Sequence, residues 1–178
     1  MNYKGKMSNL KNPQKYIGDL SNITYRSIWE RNLMRWLDEN PNVREWGSEE
    51  FSIPYDNPIK GRAKYYPDFF IVWESGAMMV VEVKPKNQTV PPIQPKRKTQ
   101  RYITEVATYA INQEKWKAAK SFCDRNNLKF EVWTEDDLTR LGVSTSATGA
   151  QRKQLAERAK PKMVPMVRER RPRPTRRS

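Results

Sequence analysis

The residues of this 178-residue chain best equipped for chemistry are charged groups set inside apolar runs. Asp68 follows Pro67 and heads the run Phe69-Phe-Ile-Val-Trp73, and fourteen positions on, Glu82-Val83-Lys84 ends the run that starts at Met78. Unpaired charges are costly to bury, so such groups either pair with one another or hold a metal ion. Side chains alternate along a strand, which puts Glu82 and Lys84 on one face and Met79, Val81 and Val83 on the other. Asp68 and Glu82, with the backbone carbonyl of Val83 and waters, meet the demand of Mg²⁺, with Mn²⁺ as a substitute ion. The Lys84 ammonium beside them can stabilise hydroxide or the charge developing on a phosphoryl group. These are the parts of a phosphodiester hydrolase. The structural alternative is an ion pair on a sheet face.

Two runs around Ser75-Gly76-Ala77 predict a hairpin, and its register decides whether the charges meet. A two-residue turn pairing Glu74 with Ala77 sets Asp68 opposite Val83, on the wrong face. A three-residue loop pairing Glu74 with Met78 sets it opposite Lys84, diagonal to Glu82, so the site requires the odd loop or a bulge. Glu30 is a third acid. It shares the apolar stripe of Leu33 and Leu37 on a helix expected over Tyr25–Asn40, and can point into the same site. Ser27-Ile-Trp-Glu30 also fits a capping box. The site reading is preferred because Tyr25 and Arg26 suggest that the helix starts before Ser27. Glu49 and Glu50 are weaker candidates.

The elements that carry these residues follow from period and punctuation. Asn40-Pro41 ends the first helix. Phe51–Tyr55 reads as a short edge strand because Pro54 has no N–H for a central ladder. Lys64–Glu74 and Met78–Lys84 are the hairpin strands, and Pro85 to Lys98 is a proline-rich basic loop. Thr99 caps a helix whose apolar residues run from Tyr102 to Ala110. Asn112 is placed to cap a continuation through Trp116, Ala119 and Cys123, giving one kinked helix or two. Leu128–Trp133 alternates as a strand, and Thr134–Asp137 opens a short helix closing at Leu141-Gly142. The order predicts an α/β fold on a small mixed sheet flanked by helices.

Composition narrows the chemistry. With no His and one Cys, histidine triads, His-ligated zinc and disulfide frameworks are excluded, leaving carboxylates, Lys and a hard metal ion. Lys and Arg number 34 against 20 Asp and Glu, a net +14, which points to a polyanion such as DNA rather than a small-molecule substrate. From Gln151 on, eleven Lys/Arg against two Glu put +9 in the last 28 residues. The expected division is a basic N-terminal arm over 1–22, a folded domain over 23–142 and a flexible basic tail over 143–178. Lys60, Arg62 and Lys64 precede the Asp68 strand, and Lys96, Arg97, Lys98 and Arg101 lead into the helix after Lys84, so both groups can grip phosphates. No apolar run reaches about 18 residues and the start lacks a signal peptide, which predicts a cytoplasmic protein without a membrane partner.

A helical Glu, Pro67-Asp68 and Glu82-Val-Lys84 together resemble the PD-(D/E)xK nuclease fold of many restriction, resolvase and transposon-end nucleases. Asn12–Asp19, Tyr25–Glu30, Trp46–Glu50, Ile53–Tyr55, Tyr66–Phe69, Glu82–Pro85 and Lys96–Thr99, in that order, resemble the head completion nucleases of T-even-like tailed phages. The resemblance implies a restriction-endonuclease-like core, Asp68 and Glu82 as metal ligands, Lys84 as catalytic lysine and Glu30 as the helical acid. It also implies double-stranded DNA and phage head or neck proteins (portal or connector) as partners. The expected locale is the host cytoplasm during assembly, with retention in the virion. Two rivals are a non-catalytic connector that plugs the phage neck and a junction-resolvase or restriction-like nuclease.

Overall fold

The computed structural model describes residues 4–146; residues 1–3 and the Arg-rich segment from 147 on, expected to be a flexible basic tail, lie outside the described residues. In chain order the elements are β1 (Gly5–Lys6), β2 (Thr24–Tyr25), α1 (Ile28–Glu39), β3 (Val43–Gly47), β4 (Ile53–Asn57), β5 (Gly61–Tyr65), β6 (Phe69–Trp73), β7 (Met78–Val83), α2 (Gln100–Arg125), β8 (Lys129–Trp133) and α3 (Glu135–Arg140). The main sheet runs β3-β6-β7-β8. Its first three strands are antiparallel neighbours, while β8 lies parallel to β7 after the crossover through α2. This is the expected α/β plan of a restriction-endonuclease-like core on a small mixed sheet.

α1 forms where Leu33, Met34 and Leu37 recur on one face, and all three are fully buried, each burial stabilising the fold by about 1.5–3 kcal/mol. Its start differs from expectation. Tyr25 is paired with Gly5 in the β1–β2 ribbon and cannot be helical, so Ser27 is the N-cap and accepts the Glu30 N–H at 3.1 Å. The Asn40 N–H closes the last turn on the Trp36 carbonyl, just before Pro41.

Sequence reasoning passed over β3. Val43 and Trp46 are both fully buried although three positions separate them, because the β3–β6 register shifts between Val43 and Glu45. Such a bulge turns both side chains to one face. The expected Lys64–Glu74 strand is in fact two, broken at Tyr66-Pro67. Its first residues belong to β5, which pairs with β4 as a separate hairpin, Pro54 opposite Lys64. Ile53, Tyr55 and Tyr65 of that hairpin pack on Ala119 of α2. α2 itself is one continuous helix capped by Thr99, with Asn112 buried inside it rather than capping a second stretch.

The N-terminal segment, expected to be an extended arm, lies against the body. Tyr16 is buried with its ring edge-on to Trp46, centroids 4.8 Å apart, and the Ile17 N–H donates to the Trp46 carbonyl at 2.8 Å. At the other end the fold runs past 142. Val143 is buried, and the carbonyls of Ser144 and Thr145 accept from Asn32 Nδ2 (2.7 Å) and Trp29 Nε1 (2.9 Å) on α1.

Candidate active site

The β6–β7 pairing runs from Val72 opposite Met78 to Phe69 opposite Val81. One step further along, Asp68 stands directly across from Glu82 rather than diagonal to it. The connecting loop has the odd length the site needs but comprises Glu74, Ser75 and Gly76, closed by the Trp73 N–H on the Ala77 carbonyl at 2.9 Å. Three-residue hairpin loops end on a left-handed residue, and Gly76, with φ of 83°, supplies it. That shifts the register one residue from the expected Ser75–Ala77 loop and brings the two carboxylates together.

Lys84 closes the cluster, its Nζ 2.7 Å from Glu82 Oε1 and 3.9 Å from Asp68 Oδ2. Val83 contributes its N–H, which donates to Asp68 Oδ2 at 2.8 Å. Tyr65, whose O–H donates to Glu82 Oε2 at 2.6 Å, is an addition that the sequence pattern does not mark. Glu82 is 2% exposed, so both of its oxygens are fixed from within the fold.

Burial, then the negative charge of Glu82, push the Asp68 carboxyl well above its ordinary range; Lys84 and the Val83 N–H only partly counter them. Burial pulls the Lys84 ammonium down, but Asp68 and Glu82 outweigh it and its pKa is raised, so it stays charged. Burial beside Glu82 likewise keeps the Tyr65 hydroxyl protonated and able to donate. One ammonium thus faces two carboxylates whose repulsion is not fully compensated.

Glu30 occupies the end of α1 that faces this cluster electrostatically, since its charge raises the pKa of both Asp68 and Lys84. Its carboxylate is also engaged locally, accepting from Arg26 N–H and Ser27 Oγ, each at 2.8 Å. The capping-box reading therefore describes its contacts, correcting the expectation built on an earlier helix start. Arg26 pairs with Glu49 at 2.7 Å, and Glu49 has a left-handed φ of 57°. Glu50 is committed elsewhere, accepting from the Tyr16 O–H at 2.5 Å.

The basic residues fall in two exposed groups. Arg62 and Lys64 alternate with Ala63 and Tyr65 along β5, so they face away from Glu82, and Lys60 sits in the turn before them. Lys96, Arg97, Lys98 and Arg101 are exposed where the loop after Lys84 enters α2.

Among the described residues no three acidic or thiol groups cluster as a ready metal cage. Asp68 and Glu82 are the pair that could hold a divalent cation. Their uncompensated charge fits one, and two carboxylates suit an ion that keeps several waters and takes further oxygens from its substrate.

Known proteins resemble this chain over the region that carries these residues. Residues 40–135, more than half the chain, match the family described as TnsA-like endonuclease N terminal, a span that holds Asp68, Glu82 and Lys84. The chain is also 42% identical over 147 residues to the head completion nuclease of Enterobacteria phage T4, covering 80% of this chain and 97% of that protein. With this identity over nearly all of the relative, and with acid pair and lysine converging at one end of the two inner strands, the chain belongs to the head completion nucleases, phage enzymes of the PD-(D/E)xK type.

Proposed function

We propose that the protein cuts DNA phosphodiester bonds with Mg²⁺ during completion of the phage head, using Asp68 and Glu82 to hold the ion and Lys84 as the catalytic cation. The observation that carries this is the meeting of Lys84 Nζ with Glu82 Oε1 at 2.7 Å and Asp68 Oδ2 at 3.9 Å in a largely buried wall. A bound divalent ion supplies Lewis-acid polarisation of the phosphate and an acidified attacking water. Lys84, held charged by its acidic neighbours, neutralises negative charge as it grows on the phosphoryl oxygens. Tyr65 and the Val83 N–H hold the two carboxylates in place. Glu30 adds negative potential from α1.

Lys60, Arg62, Lys64, Lys96, Arg97, Lys98 and Arg101 hold the phosphate backbone, and the +9 of the last 28 residues adds affinity without sequence preference. Work at the filled head implies contact with head or neck proteins, in the host cytoplasm and then in the virion. No helix among the described residues is long and apolar enough to cross a membrane.

The test is cleavage of linear and circular plasmid by wild type and Lys84→Ala, with Mg²⁺ and with EDTA. Mg²⁺-dependent cutting by wild type alone supports the reading. No cutting by folded wild type in Mg²⁺ overturns it and leaves a DNA-binding connector.

A further inference from the structure

Between the turn that follows Lys84 and the first half of α2 lies a cavity of about 450 Å³, within the span of about 300–1,000 Å³ typical of small-ligand pockets. Asn87, Gln88, Tyr109 and Asn112 supply polar edges, while Pro91 and Ile93 supply apolar wall. Ile93 is 92% exposed, an apolar surface left to water. Asn112 is 4% exposed, and its Nδ2 is buried with no acceptor among the described residues. An unmet buried donor costs about 1–3 kcal/mol, and native interiors keep few of them.

We propose that this pocket holds an unpaired nucleobase of the DNA being cut, so that the enzyme prefers DNA with a single-stranded end or gap over continuous duplex; this rests on the nuclease reading above. A flat ring with carbonyl and amino groups at its edge matches apolar walls and amide readers. A lone phosphate fits poorly, because apart from Arg101 the cavity is lined by amide, hydroxyl and apolar groups and by the carboxylate of Glu105. A base stacked inside duplex cannot reach such a cavity without leaving the helix.

Two short series of residues connect the pocket lining to the reacting centre. Asn87 is three residues past Lys84. Asn112 lies one helical turn before Lys115, whose Nζ sits 5.5 Å from the centre of the Tyr65 ring, and the Tyr65 hydroxyl is on Glu82.

The experiment places 2-aminopurine at each unpaired position of duplexes with 3′ or 5′ overhangs, alongside blunt duplex, and titrates full-length protein carrying Lys84→Ala to prevent cutting. One unpaired position should change its fluorescence on binding. Asn112→Leu and Ile93→Asp should each reduce the preference for overhang over blunt DNA by about tenfold, the scale of one lost base-stacking contact. Because it removes an unmet donor, Asn112→Leu should melt no lower than the parent. Ile93→Asp, at an exposed position, tests the same pocket without touching the core. Equal binding of blunt and overhang DNA by the parent overturns the pocket proposal, as does a preference that neither substitution alters, and both leave the nuclease reading intact. A seated 2-aminopurine in a protein whose wild type never cuts with Mg²⁺ supports the pocket and removes the nuclease reading alone.

Discussion

Asp38, near the end of α1, is 2% exposed, and its two oxygens accept from the backbone N–H groups of Lys11 (2.6 Å) and Asn12 (3.0 Å). Asn12 Nδ2 returns a bond to the Asp38 carbonyl at 2.9 Å. That carboxylate fastens the N-terminal segment to the body. Asp68 is also largely withdrawn from water, but it receives one backbone N–H, a distant ammonium and the repulsion of Glu82. The same side chain thus serves folding where its hydrogen bonds are complete and serves chemistry where they are left short. An under-compensated carboxylate costs stability and is ready for a cation.

Replacing the groups that meet the substrate should break this contrast most visibly. Asp68→Asn should lower DNA cleavage by about 10²–10⁴-fold, the range typical of losing one charged catalytic group, yet raise the melting temperature in EDTA. The sign follows from linkage. A carboxyl whose folded pKa lies above its unfolded one favours the folded state when protonated, so its contribution is lost as pH rises from about 4 through the raised value. The stability difference between Asp68→Asn and wild type should therefore widen over that window. A variant that melts lower than wild type at neutral pH would show Asp68 to be structural, like Asp38.

Asp38→Ala should do the reverse. Leaving two backbone N–H groups without their acceptor costs about 2–4 kcal/mol, read as a lower urea midpoint. Protein still folded at low temperature should cut DNA at a rate within a few-fold of wild type, since no atom of Asp38 reaches Glu82 or Lys84. A large rate loss in fully folded protein would tie the N-terminal segment to the chemistry.

What sequence could show of these two regions was uneven, for physical reasons. Asp68, Glu82 and Lys84 stood out because charge inside apolar strands is costly and strand alternation is strict. Their meeting depended on an odd hairpin loop, which Gly76 provided one residue earlier than read. β3 was hidden because its bulge breaks the period of two, leaving Val43 and Trp46 at a spacing that suits neither a regular strand nor a helix. The N-terminal segment looked extended because its Lys, Gly and Pro residues carry no packing signal, and the bonds that hold it are from backbone N–H groups. Tyr65 escaped because Lys64–Glu74 was taken as one strand. Only the break at Tyr66-Pro67 sets Tyr65 on a separate hairpin with its hydroxyl on Glu82.

Tyr65 sharpens the comparison on the functional side. Tyr65→Phe keeps the ring packed on α2 and removes the hydroxyl that donates to Glu82 Oε2. Partners that orient a metal ligand are typically worth about 10–100-fold in affinity or activity. The variant should need about tenfold more Mg²⁺ for half-maximal cleavage, with the maximal rate less affected. A rate loss that no Mg²⁺ concentration recovers would instead put the hydroxyl on the substrate.

Glu30 stands between the two regimes, bonded like a structural acid yet felt by Asp68 and Lys84. Glu30→Gln separates the two roles, because Gln at this helix position also closes a capping box while the charge disappears. Stability should change by no more than about 0.5 kcal/mol, within the range of ordinary surface substitutions. Cleavage should fall by about tenfold, equivalent to about 1.4 kcal/mol at the transition state. Ser27→Ala is the control, since it removes the cap hydroxyl, costs about 1 kcal/mol and leaves the charge in place. If Glu30→Gln cuts DNA as fast as wild type, Glu30 belongs with Asp38, and the chemistry rests on Asp68, Glu82 and Lys84 alone.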